Sequence, residues 1–227
     1  MQHQRFSAAR PRSIIRLAVA LVAALGLLVV AAPTSDAKPI KQNADVIQID
    51  SGETVGTVSL KRTPNGLHFN LSTTVGGALY PLPFPGPIDG AFWESGDATT
   101  VWFVTFNRPE NCASRPCGEG DVFSWVTTGA NPAGIGVHYG AGHVAGDNTF
   151  HAAGNLKEGT PGDGEALEDA ANAEVHIIVR SHGSSAPLAA EGLLGYALTS
   201  YEGGCADPFN AGPNVCGEPQ FGIFLAP

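Results

Sequence analysis

Residues 173–180, AEVHIIVR, carry the clearest β-strand pattern of the chain and decide its fold class. Aliphatic residues alternate there with Glu174, His176 and Arg180. Because side chains of a strand point alternately to opposite faces, one face of this strand is aliphatic and the other is largely polar. The pattern predicts a half-exposed strand that packs against a core through its aliphatic face.

Two more stretches continue the pattern. Residues 67–72, LHFNLS, alternate strictly and follow the turn signal TPNG at residues 63–66, so they predict the return strand of a hairpin that begins near Thr54. Residues 99–106, TTVWFVTF, are apolar on both faces. They predict a strand in the middle of a sheet, covered on both sides.

Composition also favours strands. The chain contains 29 glycines and 17 prolines, and only 15% of its residues are charged, which suits short strands joined by turns. The remaining segments predict a hairpin of residues 135–145 and 149–156, strands at 193–201 and 220–225, and one short helix at 165–171. We expect an all-β fold, an antiparallel β-sandwich of roughly eight or nine strands, with a β-barrel as the alternative.

The first 37 residues have the order of a secretory signal peptide. Four arginines precede Leu17–Ala32, a run of Leu, Val, Ala and one Gly. This run is shorter than the roughly 20 residues that cross a bilayer. Small residues at Ser35 and Ala37 fit cleavage after Ala37, and an uncleaved membrane anchor is the alternative.

Cleavage would leave a polar leader, residues 38–53, and a single domain, residues 54–227. It removes four arginines and one aspartate, so the formal net charge changes from −9 to −12. An acidic surface repels phosphate backbones and anionic lipids, so we expect neither nucleic acid nor, after cleavage, a membrane as partner. The expected location is the periplasm, the cell envelope or the medium.

Four cysteines follow the leader, an even number that suits an oxidising compartment. Three connectivities are possible, and the two local bridges, Cys112 with Cys117 and Cys205 with Cys216, are the simplest. Each would stabilise the protein by about 2–3 kcal/mol. A four-thiolate zinc site is the alternative, but the chain offers no pair of Cys-x-x-Cys motifs.

Histidines provide the candidate metal ligands. His143 and His151 would lie opposite each other if their hairpin turn has three residues, and on opposite faces if it has two. His176 is the candidate third ligand, with His182 in its place as an alternative. We expect no cofactor, and a copper or zinc site on these histidines is the competing hypothesis.

Arg180 and His182 would share one strand face. A guanidinium binds carboxylates and phosphates with a fork of N–H donors, so these two residues form a candidate anion-binding patch, with a plain polar stripe as the alternative. The chain contains no Gly-x-Ser-x-Gly elbow and no Ser-x-x-Lys pair. We therefore predict no catalytic residue.

Three parts of the chain resemble a family of secreted bacterial proteins of unknown function: TTVWFVTFNRPENC with CGEGD, AEVHIIVRSHG, and YEGGC. That pattern is similar in turn to chordin-like (CHRD) domains and to copper–zinc superoxide dismutase sandwiches. The resemblance covers about residues 54–226 and implies export and a β-sandwich. Such dismutases carry a His-x-His strand, whereas residues 174–178 contain only His176, so the resemblance implies no copper ligand.

The leading hypothesis is a secreted or envelope-associated, non-catalytic protein that binds an extracellular ligand or a cell-surface component. The alternative is a metal-dependent redox or hydrolytic enzyme that uses His143, His151 and a third histidine. A further hypothesis is an inhibitor or adhesin that makes contact through the Pro-rich loop at residues 80–87.

Overall fold

A computed structural model describes residues 38–81, 87–206 and 212–227. The predicted signal peptide and most of the Pro-rich loop lie outside the described residues. The strands are β1 (Ile40–Gln48), β2 (Thr54–Thr63), β3 (Gly66–Thr74), β4 (Asp97–Phe106), β5 (Ile135–Val144), β6 (Thr149–Lys157), β7 (Asp163–Gly164), β8 (Glu174–Ser184) and β9 (Gly217–Phe224). The helices are a 3-10 turn (Pro109–Asn111), α1 (Glu119–Thr128), α2 (Ser185–Ala190) and α3 (Leu194–Ala197).

The nine described strands form one antiparallel sheet in the order β6-β3-β2-β1-β9-β8-β4-β5-β7. The sheet curls into a half-barrel, so the predicted all-β, antiparallel architecture is confirmed. The hairpin predicted around residues 63–66 is also present, because Thr63 pairs with Gly66 and the ladder continues along β2 and β3.

The inner face of the curled sheet forms the main core. Phe69 of β3 and Phe103 of β4 meet edge to face with ring centroids 5.1 Å apart, which joins the two halves of the sheet. The aliphatic face predicted for residues 173–180 is buried in this core, as are the alternate apolar residues predicted for residues 67–72. β4 is buried along nearly its whole length, as its two apolar faces predict.

The predicted hairpin of residues 135–145 and 149–156 is wrong. β5 pairs with β4 and β6 pairs with β3, each through nine residue pairs, so the two strands lie far apart in the order of the sheet. They approach each other through glycines: the edge of the Phe69 ring lies against both Gly140 and Gly154. A hairpin signal in the sequence predicts a turn but not which strands pair. Here the pairing is made by the ladders of β5 with β4 and of β6 with β3.

The polar leader predicted for residues 38–53 is also wrong. It contains β1, which lies between β2 and β9 and buries Val46 completely. The inward-facing positions of β1 include Gln42, which is polar, and Ala44, which is small, so the apolar alternation of this strand is weak in the sequence.

Helices occur where they were not predicted. Residues 165–171 are irregular up to a turn that begins at Ala170, rather than helical, and the carbonyls of Ala170 and Ala173 accept hydrogen bonds from Arg62 Nη1 at 3.0 and 2.7 Å. The strand predicted at 193–201 is wrong as well, because this segment contains α3.

The contact between Gly154 and its neighbours gives a test of the fold. A Cβ at residue 154 would lie 2.6 Å from Phe69 Cε1 and 2.5 Å from the Gly140 carbonyl oxygen. Gly154→Ala should therefore lower the free energy of unfolding by about 1–3 kcal/mol, measured by urea denaturation. Gly120→Ala, in a helix with open space around the added Cβ, is the matched control and should not destabilise.

Candidate ligand-binding cleft

The outer face of the sheet differs between its two halves. Over β6, β3, β2 and β1 it is polar and open to solvent, as is usual for one face of an antiparallel sheet. Over β9, β8, β4 and β5 it is flanked by two long excursions of the chain. The first, residues 107–134, joins β4 to β5, and the second, residues 185–216, joins β8 to β9.

An open cleft of about 1740 Å³ lies between these excursions. Register places eight outer-face residues of the four strands in two rows that form its floor. Seven of the eight are apolar or aromatic. The first row is Val137, Val104, His176 and Ile223, and the second row is Tyr139, Trp102, Ile178 and Phe221.

Aromatic rings organise the second row. Trp102 lies edge to face between Tyr139 and Tyr201, with centroids 5.6 and 5.2 Å away. The indole N–H of Trp102 donates to Thr100 Oγ1 at 2.7 Å, so the ring cannot turn without losing this bond. Tyr139 is 40% exposed and extends the platform toward solvent.

The first wall is the loop closed by the Cys112–Cys117 disulfide, followed by α1. Asp121 joins the two parts, because its carboxylate accepts from the backbone N–H groups of Gly118 and Ala113 at 2.9 and 2.8 Å. Trp125 of α1 lines the cleft above this loop.

The first wall is attached to the floor by Glu174. This carboxylate is fully buried, and its Oε1 accepts from the Cys117 backbone N–H at 2.7 Å and from His176 Nε2 at 2.9 Å. Arg115 lies 3.7 Å from the second carboxylate oxygen. Glu174 therefore fixes a disulfide loop and orients the His176 ring at once.

The second wall contains the Cys205–Cys216 disulfide and is attached by Arg180. The Arg180 guanidinium forms a buried ion pair with Glu218 of β9 and lies 4.0 Å from the centre of the Tyr201 ring. The Tyr201 hydroxyl donates to Glu218 Oε1 at 2.7 Å. Charge pairing thus holds the segment around Tyr201 against the floor.

His182 of β8 is buried beneath the second wall, bonds to it through Gly203 and has a defined tautomer. Its Nδ1 donates to the Gly203 carbonyl at 2.8 Å, and its Nε2 accepts from the Thr100 hydroxyl at 2.8 Å. Burial first, and the nearby Arg180 charge second, lower the pKa of His182 to about 3. The ring is therefore neutral at physiological pH.

The three candidate metal ligands do not come together. His143 Nε2 donates to the His151 backbone carbonyl at 2.9 Å, and both residues line a shallow polar groove on the outer face. His176 lies on the floor of the cleft instead. In the described ranges, the one cluster with suitable ligand atoms is His182 with Cys205 and Cys216, whose sulfurs are joined in a disulfide.

The candidate anion-binding patch is occupied by the protein itself. Glu218 neutralises Arg180, and His182 is uncharged. The prediction that the polar groups of β8 share one face is correct in periodicity, but this face is buried by the two excursions rather than solvated. Local periodicity does not identify Glu174, Tyr201 and Glu218 as site residues, because Glu174 bonds to Cys117 and Glu218 bonds to Tyr201 and Arg180 across long stretches of the chain.

Comparisons with protein-family models, curated proteins and solved structures found no match to this chain. The resemblance to chordin-like domains and dismutases therefore stays a prediction. Within the part of the chain that the structure describes, no helix has the length and hydropathy needed to cross a membrane.

The buried His182 gives a test of the second wall. Stability should fall as the pH drops from 6.5 toward 3, because the unfolded chain binds a proton at this histidine that the folded chain excludes. The contribution is at most about 1.4 kcal/mol per pH unit. His182→Gln, whose amide can replace both hydrogen bonds, should reduce the slope of unfolding free energy between pH 6.5 and pH 4.5.

Urea denaturation at both pH values measures this slope for each protein. Other titrating groups are shared, so the difference between wild type and variant isolates His182. His151→Gln, at an exposed histidine, is the control and should keep the wild-type slope. Equal slopes for wild type and His182→Gln would contradict a lowered pKa of His182 in the folded protein.

Proposed function

We propose that this protein is a secreted or envelope-associated binding protein that holds a neutral, largely apolar ligand in the cleft. The observation that carries the proposal is the floor, where seven of eight outer-face side chains on four neighbouring strands are apolar or aromatic. Ligand sites are typically concave and apolar with a few placed polar groups, which is the composition of this floor.

The dimensions of the cleft and its floor support an extended ligand. Four strands spaced about 4.8 Å apart give the floor a width of roughly 15 Å, and its two rows lie roughly 7 Å apart along the strands. The volume of about 1740 Å³ exceeds the roughly 300–1,000 Å³ of pockets for drug-sized molecules. A polycyclic or long-chain molecule fits this space.

Charge argues against an anionic ligand, and the apolar floor favours an uncharged one. Glu119, Asp163 and Glu202 line the cleft, and its two arginines, Arg115 and Arg180, lie beside Glu174 and Glu218. Acidic groups repel an anionic ligand, and the net charge of the whole chain adds to that repulsion.

The two disulfides support both the proposed ligand binding and the proposed location outside the cytoplasm. Each closes one wall of the cleft, so the walls are ordered before a ligand arrives and less entropy is lost on binding. Closed disulfides are also typical of an extracytoplasmic compartment. With the predicted signal peptide, they favour a site that operates outside the cytoplasm.

Binding of a neutral, environment-sensitive dye such as Nile red to protein collected outside the cell tests the proposal. Val137→Lys places a charge on the apolar floor and should weaken dye binding at least tenfold, because the ammonium must be desolvated or must displace the dye. Thr57→Lys, on the outer face of β2 away from the cleft, is the matched control and should bind as wild type does.

Saturable one-to-one binding that Val137→Lys alone weakens would support the proposal. Wild-type protein that does not bind the dye, or a Val137→Lys variant that binds it normally, would contradict it. Concentration-dependent dimerisation that Val137→Lys abolishes would instead identify a second copy of the chain as the occupant.

A further inference from the structure

Three of the eight residues of the cleft floor carry polar groups: the hydroxyl of Tyr139 is on a side chain that is 40% exposed, the Trp102 N–H is bonded to Thr100, and His176 lies among aliphatic neighbours. His176 pairs with Val104 on one side and with Ile223 on the other, and Ile178 is the next outer-face residue on its own strand. In the first row of the floor, a ligand therefore meets an apolar surface everywhere except at the imidazole.

Glu174 determines which nitrogen of this imidazole carries the proton. A carboxylate oxygen has only lone pairs to offer, so Nε2 of His176 must be the donor in the 2.9 Å bond to Glu174 Oε1. In the neutral ring, Nδ1 is then an acceptor. Nδ1 has no hydrogen-bond partner among the described residues and is not sealed from solvent, unlike Glu174 Oε2 and Arg180 Nε.

We infer that His176 Nδ1 is the recognition group of the cleft, and that it accepts a hydrogen bond from a hydroxyl on the apolar ligand. The ligand class is a neutral amphiphile with a polycyclic or long-chain body and a single hydroxyl, such as a phenol or a polycyclic alcohol. This inference rests on the proposed function and makes it more specific. Glu174 is a positioning residue, since it orients the ring and fixes its tautomer.

The Nδ1 acceptor allows the cleft to discriminate between a ligand that has a hydroxyl and one that lacks it. A hydroxyl satisfies Nδ1, whereas a methyl ether of the same body covers Nδ1 without donating to it. Loss of one such bond in a desolvated site corresponds to about a tenfold change in Kd. The methyl ether is the more apolar of the two molecules, so burial of apolar area alone would favour the ether.

Calorimetric titration with 2-naphthol and 2-methoxynaphthalene at pH 7, where both are neutral, tests this inference. Wild-type protein should bind 2-naphthol about tenfold more tightly. His176→Phe keeps a ring of similar size but removes the acceptor, so it should abolish the preference or reverse it. His151→Phe, an exposed histidine outside the cleft, is the matched control and should keep the wild-type ratio.

The ¹⁵N resonances of His176 in wild-type protein give a second readout that requires no variant to fold. The free protein should show the Nε2–H tautomer, and 2-naphthol, but not its methyl ether, should shift the Nδ1 resonance. Equal affinity of wild type for both ligands, or an unchanged Nδ1 resonance, would overturn the inference. If Nile red still binds and Val137→Lys still weakens it, the proposed function survives that failure; if the dye does not bind either, both proposals fail.

Discussion

The buried ion pair between Arg180 and Glu218 is the interaction on which the outer face of the sheet depends. Neither charge can remain away from water without a partner, because an isolated buried ion is strongly unfavourable. The pair joins β8 to β9 and supports Tyr201, which stacks on the guanidinium and donates to the same carboxylate. The segment around Tyr201 is thereby held against the sheet.

The same principle operates on the other side of the cleft, where the buried carboxylate of Glu174 accepts from the Cys117 backbone and from His176. Each half of the covering layer thus combines a disulfide with a buried carboxylate that belongs to the sheet. The disulfide limits the conformations of the loop, and the carboxylate positions it over the strands. The cleft is the part of the outer face that these two attachments leave uncovered.

Periodicity in the sequence predicts strands well because it is local. The buried strands at residues 67–72 and 173–180 follow from side-chain alternation, and the one at 99–106 follows from its two apolar faces. The two disulfides are the simplest of the three possible pairings. Pairing between strands is not local, and so the expected hairpin of β5 and β6 is replaced by ladders with β4 and β3. The turn that begins at Ala170 is likewise bound by Arg62, which lies about a hundred residues earlier in the chain.

The site was harder to predict than the fold for a related reason. Alternation along β8 places Glu174, His176, Arg180 and His182 on one face, but it does not say what covers that face. On a solvated face these side chains would form an ordinary polar stripe. Under the two excursions each must find a partner, and all four do so within the protein: Glu174 bonds to the Cys117 backbone and to His176, Arg180 pairs with Glu218, and His182 bonds to Thr100 and Gly203. Among them, only His176 keeps an unbonded nitrogen that is open to solvent, and the proposed ligand specificity depends on that asymmetry.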